Sequence, residues 1–586
     1  MSAQTQVAHS EIASIRDTVE SIWIAIVLAF LLRAFLVEAF VIPTGSMAPR
    51  LMGAHWRLRC QSCGRKFAYG MPKTNGHVSQ ENVFSGARCP NCRYPYTSYG
   101  EALSRGDHVL VMKYLYHLDE PRPWDVVVFK NPQNNRENYI KRLIGLPGEE
   151  IEIVHGNIFV RNWLRDEETF HIRRKPLRTQ ETMWQVVYNN DYQPDIEKHF
   201  GPAGGRRVPV PRWVAAADTD VWDLTGDGGR EFRFHGSEEN STLELDVQLR
   251  PEARGEDRRE QRLQRELFLP HYGYNVTSDR PGEGYDIEDA ALATVSDLKL
   301  SVVLWPGKDA CTLQLGLTSF DHEFRAEVSS AGGAEVFYRH MVKTEGKWVA
   351  WGEAANIPAM RQGVGYRVSL AYVDQQLVLQ VDGKAVIQRT TMNKLANGKA
   401  VPLMDHESLK SYMRAVRNGT AEVRIPRPTI AVRGGACRLN HVHLMRDVHY
   451  TNTKLQPLAG DSSGIAPEAK YADTLGVEGG EDGWATFGNP IRLAHHAKGD
   501  CPRSMDEFFV LGDNSPQSLD GRGWTSAAPT LRLYSDEGRP MYTLGTVPRY
   551  SMLGKAFFVY WPAGFRVPGL KNLQIIPNVG KVRLIR

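Results

Sequence analysis

"NYIKRLIGLPGEEIEIVHGNIFV", residues 138–160, carries a strand pattern, a Pro-Gly turn and a second β pattern in close succession. Alternation puts Tyr139, Lys141 and Leu143 on one face of a strand and Ile140, Arg142 and Ile144 on the other. Pro147-Gly148 then turns the chain, and "IEIVHGNIFV" predicts a hairpin with Gly156-Asn157 at its tip. A lysine in so apolar a strand has two readings. It is an edge-strand side chain facing solvent, or a base in a desolvated pocket, where burial disfavours the ammonium.

Outward from this strand, β signals continue. "RGDHVLVMKYLY" (105–116) alternates and reads as a strand with Asp107 in the preceding turn, and "DVVVFKNP" (125–132) reads as a buried strand. Near the other end, "DEFFVLGDNSPQSLDGRGW" (506–524) is an apolar strand entering a dense polar turn, and "LGKAFFVYWP" (553–562) is a further buried strand. Between about 163 and 502 the character changes. The charged stretch 250–268 predicts a solvated helix or loop. "LKLSVVLW", "CTLQLGLTS", "FRAEVSS", "YRVSLAYV" and a hairpin around Asp382-Gly383 predict a β-sandwich over 208–452. The Gly-, Ser- and Asp-rich stretch after it reads as a linker. At 586 residues several domains are expected, and a net charge of +4 gives no electrostatic case for nucleic acid.

The N-terminal side holds "SIWIAIVLAFLLRAFLVEAFVIP" (21–43), the one candidate membrane span. About twenty apolar residues are needed to cross, and a mid-bilayer arginine costs roughly 2.5–3.5 kcal/mol, so Arg33 requires snorkelling or tilt. A cleaved signal peptide is the rival reading, but a basic leader and a small-x-small site are missing. The run leads directly into "FVIPTGSMAPRL" (40–51), where Pro-Thr-Gly supplies a turn that exposes Ser46. A serine hydroxyl is a poor nucleophile until a base takes its proton. His55 has no orienting carboxylate motif beside it, and Lys141 is the best-placed base.

In this order, "IPTGSMAP", "RGDHVLV", "YIKRLIGLPGE", "VLGDNSPQSLDGR" and "GKAFFVYWP" resemble the boxes of bacterial type I signal peptidases. The resemblance covers the N-terminal segment and some two hundred residues, leaving the middle region unexplained. It implies a membrane-anchored serine endopeptidase that removes signal peptides from exported preproteins after small residues, at Ala-x-Ala sites. Ser46 matches the nucleophile and Lys141 the general base. Thr44 matches the hydroxyl that joins the Ser46 N–H at the oxyanion, and Ser518 the serine that orients the lysine. Phe40, Ile42 and Ile140 match the walls of shallow pockets for small side chains, and Arg142, Asp513, Asp520 and Arg522 match polar residues that brace the site. Gly521 departs from the family's usual serine, and Ser515-Pro516-Gln517 replaces a more charged tripeptide. No cofactor for catalysis is implied. The implied location is the inner membrane, single-pass, with the lipid bilayer as partner and the catalytic part outside the cytoplasm.

Four of the seven cysteines form two C-x-x-C pairs, Cys60/Cys63 and Cys89/Cys92. That spacing suits a four-thiolate structural zinc ribbon, with disulfides as the alternative outside the cytoplasm. The other three, Cys311, Cys437 and Cys501, read as small buried side chains. "YRVSLAYVDQQLVLQVDGKAVIQ" resembles concanavalin- and laminin-G-like sandwiches, which implies protein or carbohydrate binding by the insert. A scaffold packed on the core is the favoured reading.

The expected architecture is mainly β. It has a cytoplasmic segment 1–21, a transmembrane anchor 22–42, and core parts at 43–58, 101–165 and 501–586. A cysteine-rich insertion at 59–100, a connector at 166–207, the sandwich at 208–452 and a linker at 453–500 complete it. Two other classes stand beside the peptidase. One is a tethered binding protein with an inert core, against which intact Ser46, Lys141 and Ser518 argue. The other is a self-cleaving repressor with the same dyad, against which the apolar N-terminal run and the lack of a helix-turn-helix argue.

Overall fold

Apart from the N-terminal run, the apolar, β-branched stretches identified above supply strands in the computed structural model of the chain, which is mainly β. It describes residues 3–70, 87–96, 103–200, 210–217, 219–248, 267–268, 274, 294–341, 346–401, 403–450, 483–495, 505–515, 518–524, 526–531, 542–564 and 578–585. Residues 71–86, nearly all of the charged stretch 250–268, 453–482 and 496–500 of the expected linker, and Cys501 lie outside the described residues.

The sheet that carries the site has eight strands, all antiparallel: β1 (Val37–Val41), β2 (His108–Met112), β3 (Val126–Lys130), β4 (Asn138–Gly145), β5 (Glu507–Leu511), β6 (Val547–Pro548), β7 (Met552–Trp561) and β8 (Arg583–Leu584). Their order is β1-β2-β7-β3-β4-β5-β6, with β8 on β7. Val127 pairs with Lys141, and Leu511 with Arg142, so β4 lies between a strand near it in sequence and one some 370 residues away. The alternation of β4 is real. Tyr139 and Leu143 pack with Phe129, Val510 and Trp524, while Ile144 joins a separate cluster with Ile151, Phe509 and Leu511. After "KYLY" was read as strand, the structure ends β2 at Met112 and coils Leu115–Leu118 into a short helix.

A four-stranded sheet stands beside the first, ordered His171–Ile172, Asn157–Asn162, Glu149–Val154, Ile491–Arg492. Val154 pairs with Asn157, so the hairpin tip is His155-Gly156 and not Gly156-Asn157. Both tip residues have positive φ, 50° and 79°, the geometry of a type I′ turn. The end of the expected linker belongs here as well, since Trp484, Ala485, Ile491 and Leu493 pack against Ile144 and Ile151.

The middle region forms two antiparallel sheets, of eight and seven strands, whose inward residues share one apolar core. Leu298, Leu300 and Leu370 of one meet Leu313, Phe324 and Val432 of the other. Gln185–Asn189, read as connector, pairs with Cys437–Arg446 and so extends the first of these sheets. A three-stranded sheet of His55–Arg59, Lys66–Gly70 and Leu103–Ser104 holds the first cysteine pair at its end.

The transmembrane helix expected over 22–42 requires correction. An α-helix, α1, runs from Ala3 to Leu31, a π-helical turn covers Leu32–Leu36, and the remaining residues are β1, paired to β2. No helix among the described residues is long and apolar enough to cross a membrane. Arg16, Asp17 and Glu20 leave only the last eleven residues of α1 apolar, a rise of about 16 Å against a hydrocarbon core of about 30 Å.

Candidate active site

Ser46 occupies the short 3₁₀ turn Gly45–Met47, which follows the extended residue Thr44. The turn is fixed from below by burial of Met47 and Leu51 and from the sides by hydrogen bonds. Ala48 N–H donates to the Gly45 carbonyl at 2.9 Å and Leu51 N–H to Met47 at 2.8 Å. Asp107, buried in the turn before β2, exchanges backbone bonds with Ile42 and Met52. Its carboxylate accepts from the N–H groups of Met52 and Ala563, both at 3.0 Å. The Ser46 turn is thereby tied to β2 and to the segment after β7.

Lys141 projects from β4 to the same spot. Its Nζ lies 2.7 Å from Ser46 Oγ, and the side chain is 4% exposed. Its Nζ lies over the Tyr139 ring, 5.4 Å from the centroid. Phe40, Ile42 and Ile140 share one apolar cluster with Met47, Leu51, Val109 and Val128. Ile42 is buried, and Phe40 and Ile140 are partly exposed. Thr44 is exposed and its side chain makes no capping bond.

The polar residues predicted around the site form two buried pairs rather than one network. Arg142 grips Asp513 through Nε at 2.7 Å and Nη2 at 2.6 Å, and its Nη1 donates to the Trp124 carbonyl at 2.8 Å. Arg522 grips Asp520 through Nε at 2.9 Å and Nη2 at 2.8 Å, with Nη1 donating to Ser515 Oγ. Burial pushes the Asp520 carboxyl up, but the Arg522 guanidinium and the Gly512 N–H hold it below the usual carboxylate range.

Ser518 lies close by, yet its buried Oγ has no hydrogen-bond partner, and no bond to Lys141 is formed. It faces Gly512, where an added Cβ would meet Ser518 Oγ at 2.1 Å and the Ser46 carbonyl oxygen at 2.5 Å. Only glycine admits so close an approach. Gly521 has a similar cause: a Cβ there would meet the Gly545 carbonyl oxygen at 2.6 Å and the Phe509 ring at 2.7 Å.

Two further residues touch the Ser46 turn. Asn514 donates its backbone N–H to the Ser46 carbonyl at 3.0 Å and its Nδ2 to the Gly45 carbonyl at 2.9 Å. Its signal was present in the Gly-Asp-Asn turn that ends β5. Tyr274, from the middle region, packs on Ala48 and Met52, with its ring against Gly45. No local pattern marks it.

The four cysteines converge away from this site. Cys60 Sγ is 3.5 Å from Cys92 Sγ, and Cys63 Sγ is 3.6 Å from Cys89 Sγ. All four are buried free thiols whose sulfurs lie within 4.8 Å of one another. The separations exceed a disulfide bond of about 2.05 Å and approach the roughly 3.8 Å between sulfurs set by tetrahedral Zn–S bonds of about 2.3 Å.

With this geometry in hand, similarity to known proteins becomes specific. The family model "Signal peptidase, peptidase S26" matches residues 84–199, a range that includes Lys141 but not Ser46. "Probable signal peptidase I-2" of Synechocystis is 31% identical over 156 residues, covering 23% of this chain and 67% of that protein. "Signal peptidase I" of Buchnera aphidicola is 31% identical over 135 residues, covering 23% of this chain and 31% of that protein. The chain belongs to the signal peptidase I family of S26 peptidases. It spans 31–38% of the length of the first curated relatives it matches. Among solved structures, carbohydrate binding module CBM66 from Bacillus subtilis aligns with 40% of this chain and 94% of its own, at 11% identity and a TM-score of 0.20. A Caenorhabditis elegans galectin aligns with 26% of this chain and 82% of its own, at 13% identity and a TM-score of 0.15.

Proposed function

We propose that the chain is a serine endopeptidase that removes signal peptides from exported preproteins after small residues, using Ser46 and Lys141 as a dyad. The observation that carries this reading is the 2.7 Å approach of Lys141 Nζ to Ser46 Oγ in a pocket from which both side chains are largely shielded. Neutral Lys141 takes the hydroxyl proton as Ser46 attacks the scissile carbonyl, then returns it to the leaving amine. Water then enters and gives a proton to Lys141 as it attacks the acyl carbonyl; the bond to Ser46 Oγ breaks, Lys141 passes that proton to Oγ, and the neutral pair is restored with no other base. The N–H groups opening the 3₁₀ turn have no carbonyl within the turn to bond, and the Ser46 N–H with the Thr44 hydroxyl serves the developing oxyanion. Phe40, Ile42 and Ile140 form the apolar walls that accept alanine-sized side chains. Ser518 Oγ, close to the Ser46 carbonyl and unpartnered, is a second hydroxyl for Lys141 once substrate displaces the Ser46 bond. Arg142, Asp513, Asp520 and Arg522 act by holding the strand end and turn in place.

The substrate meets the site beside a lipid bilayer in this reading. Ile22, Trp23, Ile24, Phe30, Leu31 and Phe35 are all exposed just ahead of β1, an apolar surface suited to a membrane face. Cys60, Cys63, Cys89 and Cys92 hold one structural zinc ion, supported by the sulfur spacing. The two-sheet middle region acts as an inserted sandwich that braces the core, supported by the packing of Tyr274 on the nucleophile turn.

The test is to incubate purified protein with preproteins carrying Ala-x-Ala sites and to sequence the N-terminus of the product. Cutting after the final alanine, abolished by leucine or phenylalanine there, is expected. Cutting indifferent to that residue, or none by folded protein, would overturn the reading.

A further inference from the structure

A second cluster of ligand-type side chains lies outside the peptidase site and outside the cysteine unit. Strand Gln185–Asn189 pairs with strand Cys437–Arg446, placing Asn189 opposite His443. Asp191, two residues further on, therefore reaches back over the same strand. His441 Nδ1 lies 2.8 Å from Asp191 Oδ1, and His443 Nε2 lies 3.1 Å from Asp191 Oδ2. His441 has φ of +48°, a left-handed conformation that costs a non-glycine residue energy, beside a register shift in the pairing of its strand. One nitrogen from each ring and a carboxylate oxygen fall within 4.8 Å of one another.

From this juxtaposition we propose that Asp191, His441 and His443 form a binding site for one divalent transition-metal ion of the zinc type. Two imidazoles and one carboxylate are a donor set that zinc accepts, and its bonds of about 2.0–2.2 Å would draw donors that lie within 4.8 Å of one another into a tetrahedral shell. The ion takes the position now bridged by the ring protons, leaving the hydrogen on His441 Nε2 and His443 Nδ1. Half of the His441 side chain remains exposed, so a fourth position is open to water. The site belongs to a joint. In the turn that carries Asp191, Asn189 N–H donates to Asn91 Oδ1 at 2.6 Å, and the Tyr192 carbonyl accepts from Asn91 Nδ2 at 2.9 Å. Asn91 stands between Cys89 and Cys92, so an ion on Asp191 stiffens the seat on which the cysteine knuckle rests.

The experiment titrates full-length protein with Zn²⁺ after the tightest-bound ion has been filled, reading stoichiometry by elemental analysis and stability by thermal melting. Wild type takes up one further ion, and that ion raises Tm. His443→Ala and Asp191→Asn lose it with at least the ~10–100-fold drop in affinity that even outer-shell changes cause. His441→Ala, altering a half-exposed side chain, serves if His443→Ala misfolds. Equal uptake and equal Tm shift in wild type and His441→Ala, or no further ion in wild type, would overturn the assignment.

Discussion

Asn514 holds the Ser46 carbonyl through its backbone N–H at 3.0 Å and the adjacent Gly45 carbonyl through its side-chain Nδ2 at 2.9 Å. The loop ending β5 thus sets the depth at which the serine sits opposite Lys141. Asn514→Ala removes one neutral hydrogen bond, about 1 kcal/mol of stability. Activity should fall further, up to about 100-fold, because misplacement of a nucleophile costs more than the bond itself. Preprotein cleavage and chemical denaturation on the same preparation separate the two effects.

Arg142 and Asp513 are both nearly free of solvent contact, and each is the other's main partner. Breaking such a pair from one side leaves a buried charge uncompensated, so Arg142→Met or Asp513→Asn should cost roughly 3–5 kcal/mol. The double variant should cost less than the sum of the singles, measured by urea unfolding.

Burial pushes the Glu507 carboxyl up to about 7, although it accepts the N–H groups of Ala494 and Thr543. A folded-state pKa above the unfolded value means the folded protein binds the extra proton. Its contribution is complete below pH about 4.5, declines as pH rises toward about 7, and is constant above. Stability should therefore carry a falling component across that window, and Glu507→Gln should flatten it whatever its own cost. Tm measured from pH 4 to 8 in both proteins checks the sign.

The strands around Lys141 were legible because each has an alternating or fully apolar pattern that one sheet can satisfy. The Ser46 turn was legible because Pro-Thr-Gly is local turn chemistry. What local pattern does not encode is pairing across hundreds of residues. Tyr274 reaches Gly45, and Asp191 reaches His441, only because of tertiary packing. The apolar run 22–42 misled because it is divided: helix to Leu31, a π-helical turn to Leu36, then Val37–Val41 as an edge strand paired to β2, and apolar composition alone does not mark where helix gives way to strand. Ser518 was expected on Lys141 and instead faces Gly512, with its hydroxyl unpaired.

A metal held by Cys60, Cys63, Cys89 and Cys92 contributes folding energy only where its ligands gather. Ser62 Oγ accepts the Asp195 N–H at 2.9 Å, and Asn91 bonds the turn at Asn189 and Tyr192, so the cysteine unit is docked on the middle region. Chelation, or Cys89→Ser, should lower Tm and expose the 189–199 segment to protease. Retained zinc at less than one per chain, with Tm unchanged by chelator, would count against the site.

Preprotein cleavage by wild type, Ser46→Ala, Lys141→Ala and Lys141→Arg, with folding matched by circular dichroism, decides whether Ser46 and Lys141 act as a dyad. The dyad predicts a loss of about 10⁴-fold or more in all three variants, since removal of either partner disables the pair as a unit. Arginine fails with alanine because it does not give up its proton near neutral pH. Cleavage within tenfold of wild type in either Lys141 variant would contradict the account, leaving Ser46 with a different base or the chemistry at a different residue.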